Sequence, residues 1–221
     1  MLGREGMNKL QYIAIEGPIG VGKTSLARLL SEEFNHRLVL EDAENNPFLP
    51  EFYKDRNKYA FQTQVFFLLS RYQQQKEMVQ QDLFQQGVVS DYIFAKDKIF
   101  ASLNLSEDEM TLYDSLYNLL DARILKPDLV VFMQASKDVL KDRIKKRKIP
   151  HEKNINTEYL EELAQAYNRF FFTYSDTPLL VVNCSDMDFV ENNEDYQIIL
   201  DEIGHMKKNK LEKHYVSISS K

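Results

Sequence analysis

The feature that most constrains the fold is a glycine-rich stretch at residues 17–24, which reads GPIGVGKT. It matches the pattern G-x-x-x-x-G-K-[ST], follows the mainly apolar residues 12–16, and precedes the helical sequence SLARLL. When a strand, a turn and a helix follow in this order, the backbone N–H groups of the turn and the positive end of the helix dipole both face a bound anion. The stretch therefore predicts a phosphate-binding loop, with a ligand-free glycine turn as the alternative.

Each residue type in this loop has its own task. Small residues at Gly17, Gly20 and Gly22 let the chain curl tightly. Lys23 brings a full positive charge to the β- and γ-phosphates of a nucleotide. The hydroxyl group of Thr24 is placed to bind the Mg²⁺ ion that bridges those phosphates. Together these residues predict binding of a purine nucleoside triphosphate with magnesium.

Length and composition narrow the class of protein. A chain of 221 residues can bury one sizeable core, so we expect a single domain over residues 1–221 with flexible ends at 1–9 and 207–221. The net charge of −6 and a pI near 5.4 argue against a general nucleic-acid binder. The single cysteine, Cys184, excludes an internal disulfide. With no signal-peptide pattern and no apolar run near ~20 residues, a cytoplasmic protein without a membrane span is expected.

Acidic residues follow two further predicted strands. The run HRLVLED (36–42) predicts a second strand that ends at Glu41 and Asp42, and VVSD (88–91) predicts a third that ends at Asp91. Parallel strands in an open α/β sheet bring their carboxyl ends to the edge where ligands bind. Glu41 is therefore a candidate base and Asp91 a candidate magnesium ligand. The alternatives are a solvated glutamate in a loop and an N-cap, by Asp91 or the preceding serine, for the helix that follows.

A long helix is predicted from Lys58 to Gln86, after a loop and short helix at 45–57, and Gly87 ends it. Gln64 and Arg71 are seven residues apart, so they share one face of this helix. Two polar side chains on an otherwise apolar face indicate a lined pocket, although exposure of both on the surface is the alternative.

Basic residues crowd the stretch 139–154. Arg143 and Arg147 lie four residues apart, so both can reach one phosphate from the same helix face. A chain that holds a triphosphate on Lys23 also needs positive charge from a mobile segment on any phosphoryl group that is transferred, so we interpret residues 143–154 as a lid. A wet basic surface is the alternative interpretation.

The remaining pattern completes the architecture. A capping box at Ser106 and Glu109 opens a helix whose apolar stripe predicts either core or a dimer surface. Strands are predicted at 128–135 and 177–183, and a last helix precedes a frayed tail from Lys207. The sequence thus predicts an α/β P-loop NTPase fold: a five-stranded parallel sheet flanked by helices, with a basic lid. Metal-ligand spacing is not found among the histidines, which are His36, His151, His205 and His214.

Taken together, these motifs resemble the deoxynucleoside kinase family, which includes deoxycytidine, deoxyguanosine and bacterial deoxyadenosine kinases. The resemblance runs from about residue 11 to residue 203. It rests on the order and spacing of GPIGVGKTS, Glu41, FYKD (52–55), the Q-x₆-R pair, the block VVSDYIFAKDKIFA and the run RIKKR.

On the acceptor side, the resemblance implies that Glu41 takes the proton from the sugar 5′-hydroxyl. Tyr53 and Glu152 match the pair that binds the 3′-hydroxyl. Gln64 matches the side chain that reads the base, with Arg71 and Asp97 beside it.

On the donor side, the resemblance implies that ATP is the phosphoryl donor and Mg²⁺ the cofactor, and that the protein is a homodimer. Ser25 extends the matching phosphate loop, and Arg143 and Arg147 match lid arginines. Asp188 and Phe189 match the loop that packs around adenine.

Two positions depart from the family pattern. The usual triplet is Glu/Asp-Arg-Ser, whereas this chain has Asp91-Tyr92-Ile93. Tyr92 cannot supply the charge of the missing arginine, so Lys96 or a lid arginine would have to compensate, unless the alignment is shifted here. Ile149 stands where some relatives have another lid arginine.

The residues also bear on the substrate. An Arg71–Asp97 pair offers donors and an acceptor to an amino-bearing base, whereas thymidine-preferring relatives tend to have apolar residues there. We therefore expect phosphorylation of deoxyadenosine, deoxyguanosine or deoxycytidine, and favour a purine. The alternatives are a nucleoside monophosphate kinase, which would need a fixed arginine near Tyr53 and Gln64, and a nucleotide-binding subunit without catalysis.

Overall fold

A six-stranded parallel sheet forms the middle layer of the structure, a computed structural model that describes residues 10–43, 45–80, 86–121, 123–149 and 155–217. The strands are β1 (Tyr12–Glu16), β2 (Arg37–Val39), β3 (Val88–Ser90), β4 (Leu129–Gln134), β5 (Leu179–Asn183) and β6 (Lys213–Ser217). The helices are α1 (Lys23–Phe34), α2 (Leu49–Phe52), α3 (Arg56–Gln80), α4 (Lys96–Asn104), α5 (Glu107–Asp121), α6 (Lys137–Arg147), α7 (Thr157–Thr173) and α8 (Asn193–Asn209).

The strand order is β2-β3-β1-β4-β5-β6. Because β1 lies between β3 and β4, the chain first builds the sheet to one side of β1 and then to the other. Such a change of direction opens a crevice outside the carboxyl ends of the central strands, where α/β proteins bind ligands. The phosphate loop, Glu41 and Asp91 all follow strands that end at this edge.

Helices cover both faces of the sheet, which explains why β1 and most of β4 are buried and apolar. On one face, α1 and α8 contribute apolar side chains such as Leu30 and Ile203. On the other face, α7 contributes Tyr167 and Phe171. The phosphate loop is therefore held between rigid layers.

The structure confirms the predicted α/β fold with a parallel sheet flanked by helices, but the sheet has six strands and not five. The sixth strand lies in the tail that we expected to fray. Helix α8 continues to Asn209, and Lys213–Ser217 pairs with β5 in parallel register. The pairing satisfies the backbone groups along the open edge of β5, and Val216 packs against the core beside α8. A five-residue edge strand that follows a basic turn carries little sequence signal.

The structure confirms the predicted capping box and the predicted long helix. In the capping box, Ser106 N donates to Glu109 Oε2 at 2.9 Å and Glu109 N approaches Ser106 Oγ at 3.4 Å, as predicted. The predicted long helix is α3, although residues 81–85 lie outside the described part of the chain. None of the described helices is both long enough and apolar enough to cross a membrane.

Candidate active site

The phosphate loop connects β1 to α1 and curves around a cavity. A Cβ atom on Gly22, where φ is 107°, would lie 2.8 Å from Cζ of Phe189, so only glycine fits there. Lys23 Nζ folds over the loop and donates to the carbonyl oxygens of Gly17 at 2.8 Å and Pro18 at 3.2 Å. Burial and the nearby Lys96 lower the pKa of Lys23. A phosphate that enters the loop would offer this ammonium group a full negative charge in place of carbonyl dipoles.

Basic residues close the other side of this cavity, which we call the donor cavity. Its lining comprises loop residues 20–25, Arg143, Lys146, Arg147 and residues 188–191. Arg143 donates to the carbonyl oxygens of Val21 at 2.9 Å and of Met187 at 2.8 Å. It thereby ties the phosphate loop to the segment after β5, so its contribution to the site includes fixing the shape of the loop.

Asp91 connects the ends of three strands. Its Oδ2 accepts a hydrogen bond from Thr24 Oγ1 at 2.6 Å, and its Oδ1 accepts one from Glu41 N at 2.7 Å. The N-cap alternative does not hold, because α4 begins only at Lys96 and its N-cap residue is Ala95. A carboxylate and a hydroxyl oxygen beside a phosphate loop are the hard donors that Mg²⁺ prefers, so these residues fit the ion.

Glu41 lies between two cations. Arg71 Nε donates to its Oε1 at 2.9 Å, and Lys96 Nζ donates to its Oε2 at 2.8 Å. Burial alone would raise the pKa of Glu41, but Lys96 and Arg71 outweigh it and hold this pKa well below its ordinary value. Glu41 is therefore an oriented carboxylate in the crevice and not a solvated loop residue.

The missing family arginine is explained by the positions of Tyr92 and Lys96. Tyr92 is fully buried in the core between the sheet and its helices. Lys96, one turn further on, places a positive charge on Glu41 in addition to that of Arg71. Of the two compensations that the sequence left open, the geometry favours Lys96 over a lid arginine.

Glu16, the last residue of β1, belongs to the same cluster and escaped the sequence analysis. Its Oε2 accepts from Gly17 N at 2.8 Å, and its Oε1 lies 3.5 Å from Lys96 Nζ. The side chain is fully buried. The available signal was a charged residue that closes an otherwise apolar strand directly before the phosphate loop, where an unpaired carboxylate would be costly.

A second cavity, the acceptor cavity, opens beside Glu41. Predicted residues that line it are Glu41, Tyr53, Gln64 and Arg71. Aromatic side chains form much of the remaining wall, which suits a planar base and a sugar; they are Phe52, Phe67, Phe100, Tyr159 and Tyr167.

Asp97 lies behind this wall. It is fully buried and accepts a hydrogen bond from Arg71 Nη1, so Arg71 bridges Glu41 and Asp97. Burial raises the pKa of Asp97 to about 6, against the opposing effect of Arg71. Glu152, predicted to bind the 3′-hydroxyl, lies outside the described residues, as do residues 150–154 of the predicted lid.

The two cavities share part of their lining, namely Lys23, Thr24 and Arg147. This junction gives a nucleotide phosphate and a second ligand a common meeting point. A family model for deoxynucleoside kinases matches residues 13–207. The chain belongs to the deoxynucleoside kinase family. Its relatives are ATP-dependent phosphotransferases, so the family match supports this activity over a nucleoside monophosphate kinase.

Individual deoxynucleoside kinases are similar along most of the chain. The deoxyguanosine kinase of Bacillus subtilis (strain 168) is 38% identical over 207 residues, which cover 91% of this chain and 99% of the relative. The deoxyadenosine kinase of Dictyostelium discoideum is 35% identical and covers 89% and 80%, respectively. Among solved structures, deoxyadenosine kinase from M. mycoides with bound dATP has a TM-score of 0.76 at 26% identity, covering 87% of this chain and 98% of that one.

Proposed function

We propose that this deoxynucleoside kinase transfers the γ-phosphoryl group of ATP to the 5′-hydroxyl of a purine 2′-deoxynucleoside. The observation that carries the proposal is the junction of the two cavities at Lys23, Thr24 and Arg147. Glu41 lines the acceptor cavity and not the donor cavity. The attack of a sugar hydroxyl on a phosphate requires a general base on the side of the junction where the hydroxyl binds.

Each polar residue at the junction has a role in this reaction. Glu41 accepts the proton of the 5′-hydroxyl, while Lys96 and Arg71 keep it ionised and oriented. Lys23 and Arg147 supply positive charge to the phosphoryl group as it passes between the two oxygens. Thr24 and Asp91 would hold Mg²⁺, which when bound neutralises phosphate charge.

The hydrogen-bonding groups behind the acceptor cavity favour an amino-bearing base, and the names of the relatives favour a purine among these. Gln64 lines this cavity, and Arg71 is held by Asp97. Together they offer an amide, a guanidinium group and a carboxylate, which suit amino-bearing bases. Among the relatives, those named deoxyguanosine kinase and deoxyadenosine kinase support a purine, and one named deoxyadenosine/deoxycytidine kinase makes deoxycytidine the substrate to compare.

A homodimer and a cytoplasmic location stay predictions. For the dimer, the support is a row of exposed leucines on α5, where Leu112, Leu116 and Leu119 follow one another at helical spacing. Leu69 of α3, which packs against α5, is also exposed. Such an apolar row on packed helices suits a two-fold helix bundle.

Steady-state kinetics test this function. We expect ATP-dependent phosphorylation of deoxyguanosine or deoxyadenosine in preference to thymidine and to the corresponding monophosphates. Glu41→Gln should lower kcat by roughly 10²–10⁴-fold, because it removes the base and retains the shape. Lys23→Ala should lower it comparably.

Asp42→Asn is the matched control, since it neutralises the neighbouring carboxylate at the end of the same strand segment. It should retain turnover within a few-fold of the wild type. Deoxycytidine as the best substrate would refute the purine preference, and thymidine as the best substrate would refute the argument from Arg71 and Asp97. Wild-type turnover by Glu41→Gln would refute the role of Glu41. ATP binding without turnover on any acceptor would favour a non-catalytic subunit.

A further inference from the structure

Three side chains with metal-binding atoms meet outside both cavities, near the carboxyl end of the described chain. Glu202 and His205 lie one turn apart on α8, and His214 lies on β6. Glu202 Oε2 is 3.0 Å from His214 Nε2 and 3.4 Å from His205 Nδ1. All three ligand atoms lie within 4.8 Å of one another. The sequence analysis found no metal spacing among the histidines, because this cluster joins a helix to a strand.

The fold directs these groups toward each other. His214 and Val216 point to the same face of β6, and Val216 packs into the core that α8 covers. On β5, the residue in register with His214 is Leu180, which packs into that core too. His214 therefore faces α8, where Glu202 and His205 occupy one side of the helix.

Two of the three distances suit a tetrahedral metal site. Two ligand atoms that each lie about 2.1 Å from a tetrahedral metal are separated by about 3.4 Å, close to both contacts of Glu202 Oε2. That oxygen is buried, and within the described ranges its near polar neighbours are these two ring nitrogens, neither of which is aligned for a hydrogen bond. A buried carboxylate oxygen without a donor is expensive unless a cation is nearby.

We propose that Glu202, His205 and His214 form a binding site for Zn²⁺ or a similar late first-row dication. Two imidazole nitrogens and one carboxylate oxygen are ligands for zinc and not for magnesium, which prefers oxygen alone. The three side chains are 28–50% exposed, so water can complete the coordination shell. The ion would fasten the edge strand β6 to α8, away from the phosphoryl-transfer site.

The test is zinc titration of the full chain after treatment with a chelator, followed by calorimetry and thermal unfolding. We expect one Zn²⁺ per chain with a micromolar or lower Kd and a rise in Tm on binding. Glu202→Gln, His205→Gln and His214→Gln should each weaken zinc binding at least tenfold. Without zinc, His214→Gln should keep the kinase activity of the wild type.

Two matched variants separate this site from general surface binding. Asp201→Asn changes the adjacent exposed carboxylate, and His36→Gln removes a histidine that contacts Leu10 O instead. Both should bind zinc as the wild type does. Absence of saturable zinc binding in the wild type, or binding that all three cluster variants retain, would overturn the proposal.

A measurement on the wild type alone covers the case in which a cluster variant fails to fold. Co²⁺ should bind in competition with Zn²⁺ and show the visible absorption of a nitrogen- and oxygen-ligated site of low coordination number. A spectrum typical of octahedral aquo-cobalt at saturation would contradict the proposal. Excess Mg²⁺ should not displace the bound ion, and displacement by Mg²⁺ would also contradict it.

Discussion

Replacing Lys96 with methionine tests the buried charge cluster at its centre. Lys96 is only 2% exposed, and its Nζ lies 2.8 Å from Glu41 Oε2 and 3.5 Å from Glu16 Oε1. Methionine keeps an unbranched apolar stem of similar length and removes the charge. The variant therefore leaves the buried Glu16 and the partly buried Glu41 without their shared cation.

The size of the effect follows from the partners that remain. Breaking a buried ion pair by removing one member costs about 3–5 kcal/mol. Glu41 keeps Arg71, and Glu16 keeps the backbone N–H of Gly17, so we expect the lower end, about 3 kcal/mol. For a chain of this size, that loss corresponds to a fall in Tm of about 6–12 °C.

The loss of charge also changes how stability and activity depend on pH. In the wild type, Lys96 helps to depress the pKa of Glu41, so the stabilisation is present at neutral pH and lost only in strong acid. Without Lys96 this pKa rises, and the loss of stability and of ionised base moves to higher pH. At neutral pH, kcat should fall roughly 10²–10³-fold, because a preorganised cation beside the reacting atoms is gone.

The assays are thermal unfolding and kcat between pH 5 and pH 9. Lys96→Arg keeps the charge and should retain more activity than Lys96→Met. Lys54→Met, which breaks the exposed pair with Glu51, should leave Tm nearly unchanged. Wild-type Tm and kcat in Lys96→Met would refute the role of this cluster.

Three further variants test other parts of the structure. Burial raises the pKa of Asp97 to about 6, so its ionised form lowers the stability of the fold above pH 6. In urea unfolding, the free energy of unfolding of the wild type should therefore rise by up to about 3 kcal/mol between pH 7 and pH 4, relative to that of Asp97→Asn. Gly20→Ala would place a Cβ 2.8 Å from the carbonyl oxygen of Leu140 at a φ of 85°, so the KM for ATP should rise roughly tenfold in steady-state assays. Leu119→Glu should convert the predicted dimer to a monomer in sedimentation experiments, and an unchanged mass would contradict the proposed interface.

The sequence was sufficient for features that depend on local patterns. The phosphate loop needs only a strand, glycines at fixed spacing and a helix, and Glu41 and Asp91 were located because they follow apolar strands. All three lie at the same sheet edge in the structure. These positions could be predicted because the carboxyl ends of parallel strands lie at the same edge of a sheet, where ligands bind.

Features that depend on contacts between residues far apart in the sequence could not be predicted. The strand β6 is only partly buried, and its pairing with β5 is what identifies it. The contact between Glu16 and Lys96 joins residues 80 positions apart, and it depends on where the turn after β3 sets the start of α4. The cluster of Glu202, His205 and His214 likewise exists only once β6 lies beside α8.

The motif alone does not show which residue replaces the arginine of the family triplet, whereas the positions of Tyr92 and Lys96 in the structure do. Tyr92 follows Asp91 but is buried in the core, so an arginine at this position would have to leave that core to reach the crevice. Lys96 begins α4 and points back to Glu41, which restores a cation to the carboxylate from the next turn of the chain. The buried Glu16 neutralises part of that charge, which allows a lysine to remain protonated in a nearly dry position, consistent with its raised pKa despite burial. Lys96 and Glu16 are thus physically linked. Because Tyr92 is fully buried, we expect Tyr92→Arg alone to destabilise the fold and not to improve catalysis.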